Sequence, residues 1–270
     1  QKLGQAVPFW TVTEYPFWVG VHIFFVLSGF LMVYTSQNLF GTKSGGLSFL
    51  KKRFVRIVPL YWFYTTVMIF VMLLLPKAFD TAQVDLWHFI QSYLFIPHER
   101  VAGGVKPVLS LGWTLNYEMF FYVVFAGFLF LKRNSAVLCV SILLSALALS
   151  FQFVPSEMIM LKFWSNPIII EFVAGMLIAH LYIRQVRLPS YFSVIGVVLC
   201  CLIFLWMPYE IFGLPRIPSL CIAIISVAAF TLPRDIDVKN VPVLLKELGN
   251  ASYTLYLSHP FAIGAVALFV

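Results

Sequence analysis

The residues best suited to chemistry gather around one carboxylate. Glu118 falls in the run WTLNYEMFFY (113–122), where Trp113, Asn116 and Tyr122 accompany it in an otherwise apolar stretch. A carboxylate so placed acts as a base, orients a histidine or binds a cation. Its plainer role is an ion pair with an Arg or His on another helix. A second acid, Glu171, opens a later apolar run. It suits an outer vestibule, and equally an interfacial position that needs no special role. Arg53 and Arg56 stand three apart in FLKKRFVRIVPLYW (49–62), so a helix puts them on one face. Two guanidinium groups on one face match the geometry of a phosphate. The competing role is a basic anchor that grips lipid headgroups, and composition alone favours the anchor.

Histidine, serine and cysteine add weaker signals. His22 and His259 lie in apolar runs, His180 near the end of one, and His88 and His98 in a loop. None pairs with another at a zinc-like spacing, so no metal is expected. A lone His in a helix bundle is more often a hydrogen-bonded packing residue, and His22 and His259 are candidates for a place near the site. Ser28-Gly29 interrupts the first apolar run without a G-x-S-x-G elbow around it. Close helix packing, or backbone polarity near a cavity, outranks a serine nucleophile there. Cys139, Cys200, Cys201 and Cys221 sit inside apolar runs as small packing residues, with no disulfide framework.

The elements that must position these groups follow from composition. Of 270 residues, 61% are hydrophobic and only 11% charged, and mean hydropathy is +0.93. A soluble domain carries about 25% charged residues, so this chain cannot cover a water-facing surface. That excludes a soluble enzyme, a disordered chain and a secreted disulfide scaffold. The net charge of +7 belongs to the basic loops of a membrane protein rather than to nucleic-acid binding, because the basic clusters abut apolar spans. A spanning helix needs about 20 mostly apolar residues. Eight runs approach that length, near 17–36, 57–75, 109–131, 135–154, 167–183, 190–207, 217–232 and 252–270. The expected fold is all-α, a polytopic transmembrane bundle of about eight spans in one domain over residues 1–270. Placing 37–56 in the cytoplasm puts twelve of the 18 Lys and Arg residues inside, which favours that orientation. Residues 1–16 and the loop 76–108 then face outward, and LWHFIQSYLFI (86–96) is too short to span and suits the interface. Glu118, nine residues into its run, lies roughly 14 Å deep. An outward Gln1 with no leader before it leads to the expectation of an earlier span, and the apolar end at Val270 to a last span cut short.

Four segments, taken together, resemble acyltransferase family 3. They are GVHIFFVLSGFLM (20–32), FLKKRFVRIVPLYW (49–62), SLGWTLNYEMFFY (110–122) and GNASYTLYLSHP (249–260). The stretch 94–122 is especially similar to the exopolysaccharide-production acetyltransferases of that family. The resemblance covers most of the chain, and its order and spacing make it specific. It implies a multi-pass protein of the bacterial inner membrane. Such a protein moves an acyl group, usually acetyl from cytoplasmic acetyl-CoA, to a hydroxyl of an exopolysaccharide, O-antigen or related lipid-linked glycan. By resemblance, Arg53 and Arg56 contact the phosphates of acyl-CoA, which reverses the preference for a lipid anchor. Glu118 is the glutamate of the W-[ST]-L-x-x-E motif, and Tyr256 and His259 are the late tyrosine and histidine. The resemblance places the catalytic histidine in a span ahead of Gln1. His22 stands where many members carry Asp and belongs to a different motif. The resemblance therefore gives catalysis to Glu118, Tyr122 and His259. A substrate pathway is expected along His22, Ser28, Trp113, Asn116, Glu171 and Tyr256. Two other classes fit the composition, a glycan or lipid-linked sugar transporter and a non-catalytic membrane scaffold. Transfer of label from acyl-CoA to glycan separates the enzyme from the transporter, and retained activity argues against the scaffold.

Overall fold

A computed structural model describes residues 19–74, 86–99, 104–206, 216–233 and 242–269. The predicted outward segment 1–16 and the first part of the loop 76–108 lie outside the described residues. Ten α-helices run through the rest, and no strand is found among the described residues. They are α1 (Val19–Thr35), α2 (Gly45–Leu74), α3 (Leu86–Tyr93), α4 (Gly112–Phe128), α5 (Arg133–Leu149), α6 (Ile159–Trp164), α7 (Ile170–Ile183), α8 (Tyr191–Trp206), α9 (Arg216–Thr231) and α10 (Val243–Phe269). Short 3-10 turns at Ser150–Gln152 and Pro167–Ile169 end α5 and lead into α7.

Each apolar run contains a helix, but two helices begin well before their runs. α2 starts at Gly45, not near 57, and α10 at Val243, not near 252. Hydropathy stops where Lys51, Lys52 and Arg53, or Lys246 and Glu247, begin. The helical backbone does not stop there, because straight-chain charged residues are good helix formers. α2 and the stretch Arg133–Gln152 are long and apolar enough to cross a membrane. Both carry their large apolar side chains outward: Phe63, Phe70 and Leu74 on α2, Leu138 and Ile142 on α5 are exposed. In water such faces would be costly; against lipid they are ordinary.

The chain divides into two compact units, Phe25–Arg184 and a second made of Gln1–Phe24 with Gln185–Val270. In the first, α2 packs on α4, α4 on α5, and α5 on α7. α1 and α7 meet backbone to backbone. A side chain at Gly175 would bring its Cβ within 1.9 Å of the Val26 carbonyl oxygen, and one at Gly29 within 2.2 Å of that of Phe172. Only glycine permits that approach. The predicted interfacial stretch 86–96 holds the short helix α3, with Leu86 and Trp87 exposed. It is clamped to the C-terminal half of α2: Tyr61 donates to the Ser92 carbonyl at 3.1 Å and the Trp62 indole N–H to that of Tyr93 at 2.9 Å. The small helix α6 was not expected from sequence. Lys162 fixes it by donating to the carbonyls of Phe151 (2.7 Å) and Val154 (3.1 Å) beyond the end of α5, with its ammonium 4.0 Å over the Phe151 ring. In the second unit α8 and α9 form a hairpin, and Ser193 donates to the Ala229 carbonyl at 2.8 Å.

Candidate active site

Four helices of the first unit bring the site together. α4 presents Glu118 inward, 5% exposed. The Ser28 hydroxyl on α1 donates to Glu118 Oε1 at 3.0 Å. The Tyr122 hydroxyl, one turn along α4, donates to the same oxygen. One carboxylate oxygen is thus held by two hydroxyls from two helices. The Gly29–Phe172 approach explains why α1 can bring Ser28 so close: it seats the adjoining residue against the backbone of α7. Around the carboxylate the walls are aromatic. Phe121 stacks on Phe172 at 4.3 Å between ring centroids, and Phe25 lies 5.0 Å from Phe172. A charge in such a place is costly unless it is hydrogen-bonded and paired.

Opposite charge comes from α2. Arg53 donates from Nη2 to Thr35 Oγ1, at the end of α1, at 2.8 Å. Its guanidinium carbon lies 5.4 Å from the Phe49 ring centroid and 5.9 Å from that of Tyr122. Both Arg53 and Arg56 act electrostatically on Glu118. The two arginines are not equivalent, although the spacing put them on one face. Arg53 is half-buried against Tyr122, whereas Arg56 is exposed at the helix surface. Tyr122 therefore touches both ends of the site, through its ring to Arg53 and through its hydroxyl to Glu118.

The remaining candidates distribute unevenly. Trp113 packs edge-on against Phe25 (6.3 Å) and Tyr117 (5.9 Å), one to two turns from Glu118. Asn116 is buried, and its Oδ1 accepts no hydrogen bond among the described residues. Glu171 is buried in the first turn of α7, where the helix dipole favours a carboxylate. It adjoins Phe172, which stacks on α4. His22, Tyr256 and His259 belong to the other unit. His22 is buried. Tyr256 stacks on Phe24 at 6.4 Å, and the exposed His259 ring lies 5.9 Å from Tyr256. Phe24, Tyr256 and His259 thus form an aromatic group. Thr35 and Phe49, which orient Arg53, were not legible as site residues. A threonine at a helix end and a phenylalanine in an apolar run carry no signal without their partner. No group of three metal-ligating side chains occurs among the described residues.

Comparison with known proteins bears directly on this arrangement. The profile of a family described as an acyltransferase domain matches residues 3–270. The exopolysaccharide production protein ExoZ of Rhizobium meliloti (strain 1021) is 36% identical over 254 residues, covering 92% of this chain and 77% of that protein. No solved structure matches.

Proposed function

This chain belongs to the acyltransferase-domain family, and from that premise we propose that it transfers an acyl group, acetyl by preference, from acyl-CoA to a hydroxyl of a bacterial exopolysaccharide or its lipid-linked precursor. Family membership selects a transferase over a transporter or a scaffold. The glycan acceptor is suggested by the likeness to a protein named for exopolysaccharide production. The setting we propose is the inner membrane, with one domain of about eight spans and residues 37–56 in the cytoplasm.

The observation that carries this reading is the Glu118 carboxylate, buried and held by Ser28 and Tyr122 beside Arg53. In the proposed reaction the sugar hydroxyl oxygen forms an ester bond to the acyl carbon, and the carbon–sulfur bond of the thioester breaks. The hydroxyl proton passes to a base, and the departing thiolate takes up a proton to leave as free CoA thiol. We assign Glu118 to orienting that base, a histidine by resemblance, and to balancing its charge as it gains the proton. Arg53 and Arg56 hold the phosphates of the donor at the inner mouth. Trp113, Asn116, Ser28 and Glu171 line the way to the reacting atoms. Tyr256, His259 and His22 are assigned a smaller part, by resemblance. Holding thioester and hydroxyl together in a dry, aromatic enclosure supplies proximity as well as base catalysis.

The test is transfer of label from acetyl-CoA to glycan in membranes of cells expressing the intact gene product. Glu118→Gln, which keeps shape and removes charge, is expected to abolish transfer while the protein stays at wild-type level in the membrane. Unchanged transfer in that variant would sink the assignment. Absence of labelled glycan in the wild type would sink the reaction itself.

A further inference from the structure

The end of the first unit that carries Arg53 holds a second basic cluster. The segments 36–56, 129–135 and 178–184 together contain eight Lys and Arg residues and no Asp or Glu. α5 and α7 form a hairpin: the 3-10 turn that opens α7 packs on α5, and the two helices pack along their length. This brings the last turn of α7 beside the first turn of α5. There His180 interacts electrostatically with both Arg133 and Arg184. Arg133 Nε and His180 Nδ1 are enclosed and find no hydrogen-bond partner among the described residues. A basic anchor for lipid headgroups would turn its polar atoms outward to water and phosphate. Here one polar atom of each side chain is shut in, on half-buried residues that feel each other's field. Like charges at such a place repel, and enclosed donors without acceptors are costly. A bound anion relieves both.

Aromatic rings connect this cluster to Arg53. Thr35, which accepts from Arg53, adjoins Tyr34. The Tyr34 ring meets that of Tyr182 on α7 at 5.5 Å, edge-on, and stacks on Phe30 at 5.8 Å. Tyr182 lies between His180 and Arg184 in the chain, and Tyr34 is 40% exposed, so its ring is accessible. The tyrosine pair thus adjoins Thr35, the partner of Arg53, on α1 and stands two residues from Arg184 on α7.

We propose that Arg133, His180 and Arg184 form a second phosphate-binding subsite, distinct from Arg53 and Arg56, with Tyr34 and Tyr182 as a shelf for a flat ring between the two. The ligand chemistry is a phosphate monoester or diester. Its identity as CoA rests on the donor assigned above. CoA carries a pyrophosphate and, on its ribose, a separate 3′-phosphate beside the adenine ring. The pyrophosphate falls to Arg53 and Arg56, the 3′-phosphate to Arg133, His180 and Arg184, and the base to the tyrosines. The same chemistry is offered by the headgroup of an acidic phospholipid.

The experiment compares CoA with 3′-dephospho-CoA on the purified full-length protein in nanodiscs of neutral phosphatidylcholine, and repeats it with phosphatidylglycerol added. Wild-type protein is expected to bind CoA about tenfold more tightly than 3′-dephospho-CoA, the scale of one charge-assisted contact. Arg184→Ala, a change at an exposed side chain, and Arg133→Ala are expected to erase that ratio. Arg133→Lys retains part of it, and Arg53→Ala weakens both ligands while keeping the ratio. If the two alanine variants keep the wild-type ratio but lose a preference for phosphatidylglycerol, the subsite stands and its phosphate is the lipid's. If wild type binds neither nucleotide yet keeps that lipid preference through Arg133 and Arg184, the donor assignment fails and the subsite survives. If both alanine variants leave the nucleotide ratio and the lipid preference untouched, the subsite does not exist.

Discussion

The two compact units treat their polar residues differently. In Phe25–Arg184 two candidates are tied to a second helix: Glu118 to Ser28 of α1 as well as to Tyr122 of its own helix, and Arg53 to Thr35 of α1, with the Tyr122 ring of α4 and the Phe49 ring beside it. In the unit that holds α8 to α10, His259 is exposed and meets Tyr256 ring to ring, and Tyr256 meets Phe24. The helix crossings differ in the same sense. α1 and α7 touch through backbone at Gly29 and Gly175, whereas Gly196 of α8 faces the Ala229 side chain of α9. A network that spans helices fixes geometry to a fraction of an ångström. A stack of two rings tolerates sliding. The first unit is therefore where small changes should cost most.

The largest effect is expected at the α1–α7 crossing. Gly175→Ala would put a Cβ within 1.9 Å of the Val26 carbonyl oxygen, and backbone cannot yield as a flexible side chain can. Loss of the monodisperse peak in detergent, or a fall of several degrees in melting temperature, is the expected outcome. Wild-type behaviour would mean that the helices are not in backbone contact. Next comes the carboxylate itself. Glu118→Gln should lower turnover by about 100-fold or more, the usual scale for loss of a group in proton transfer, with folding intact. Ser28→Ala and Tyr122→Phe each remove one of two bonds to Oε1, so each should cost less than Glu118→Gln, and together more than either alone. Strict additivity of the two would contradict a shared oxygen.

Arg53 sharpens the comparison by separating binding from turnover. Arg53→Lys keeps the charge but loses the planar fork that reaches Thr35 while lying over Phe49 and Tyr122. A rise of about tenfold in the KM for acyl-CoA is expected, with a smaller fall in kcat. The same substitution at the exposed Arg56 should raise KM less. Equal effects at both positions would return the pair to the symmetric face that the sequence spacing suggests. In the other unit, His259→Asn is expected to lower kcat by less than about tenfold, below the range of a general base. A loss matching that of Glu118→Gln would overturn the uneven division of labour between the units.

How much of this was legible beforehand follows from what kind of signal each residue carries. Glu118 stood out because a carboxylate in an apolar run is rare and costly, and because the motif around it resembles that of the family. Arg53 and Arg56 were found by spacing, but spacing could not say that one turns inward and the other outward. Apolar length found a helix in each run, of which two are long and apolar enough to cross a membrane among the described residues, and missed where α2 and α10 begin, since charged residues continue a helix without adding hydropathy. α6 was hidden because its anchor, Lys162, reaches back to the carbonyls of Phe151 and Val154, a contact visible only in space. Ser28 and Gly29 were marked as a break in the first run. Which helix each one met depended on α4 and α7, far along the chain.

The smallest effect expected is at Gly196, and it tests whether the glycine contrast is real. Here the nearest atom to a new Cβ is the Ala229 Cβ at 2.6 Å, with the Ile225 side chain next at 3.4 Å. Both belong to α9, and Ser193 ties α8 to it through one hydroxyl-to-carbonyl bond. Relief needs the hairpin to open by about an ångström, because the Ala229 Cβ moves only with its backbone, but one methyl group is all that opposes it so closely. Gly196→Ala also gains helix propensity, on the order of 0.5–1 kcal/mol, which offsets part of the crowding. A fall in melting temperature smaller than that of Gly175→Ala is therefore expected, and Ala229→Gly in the same chain should restore it by removing the opposing methyl. If Gly196→Ala proved as damaging as Gly175→Ala, and Ala229→Gly failed to rescue it, the α8–α9 crossing would be as backbone-locked as α1–α7. The second unit would then hold its helices as rigidly as the unit that carries Glu118.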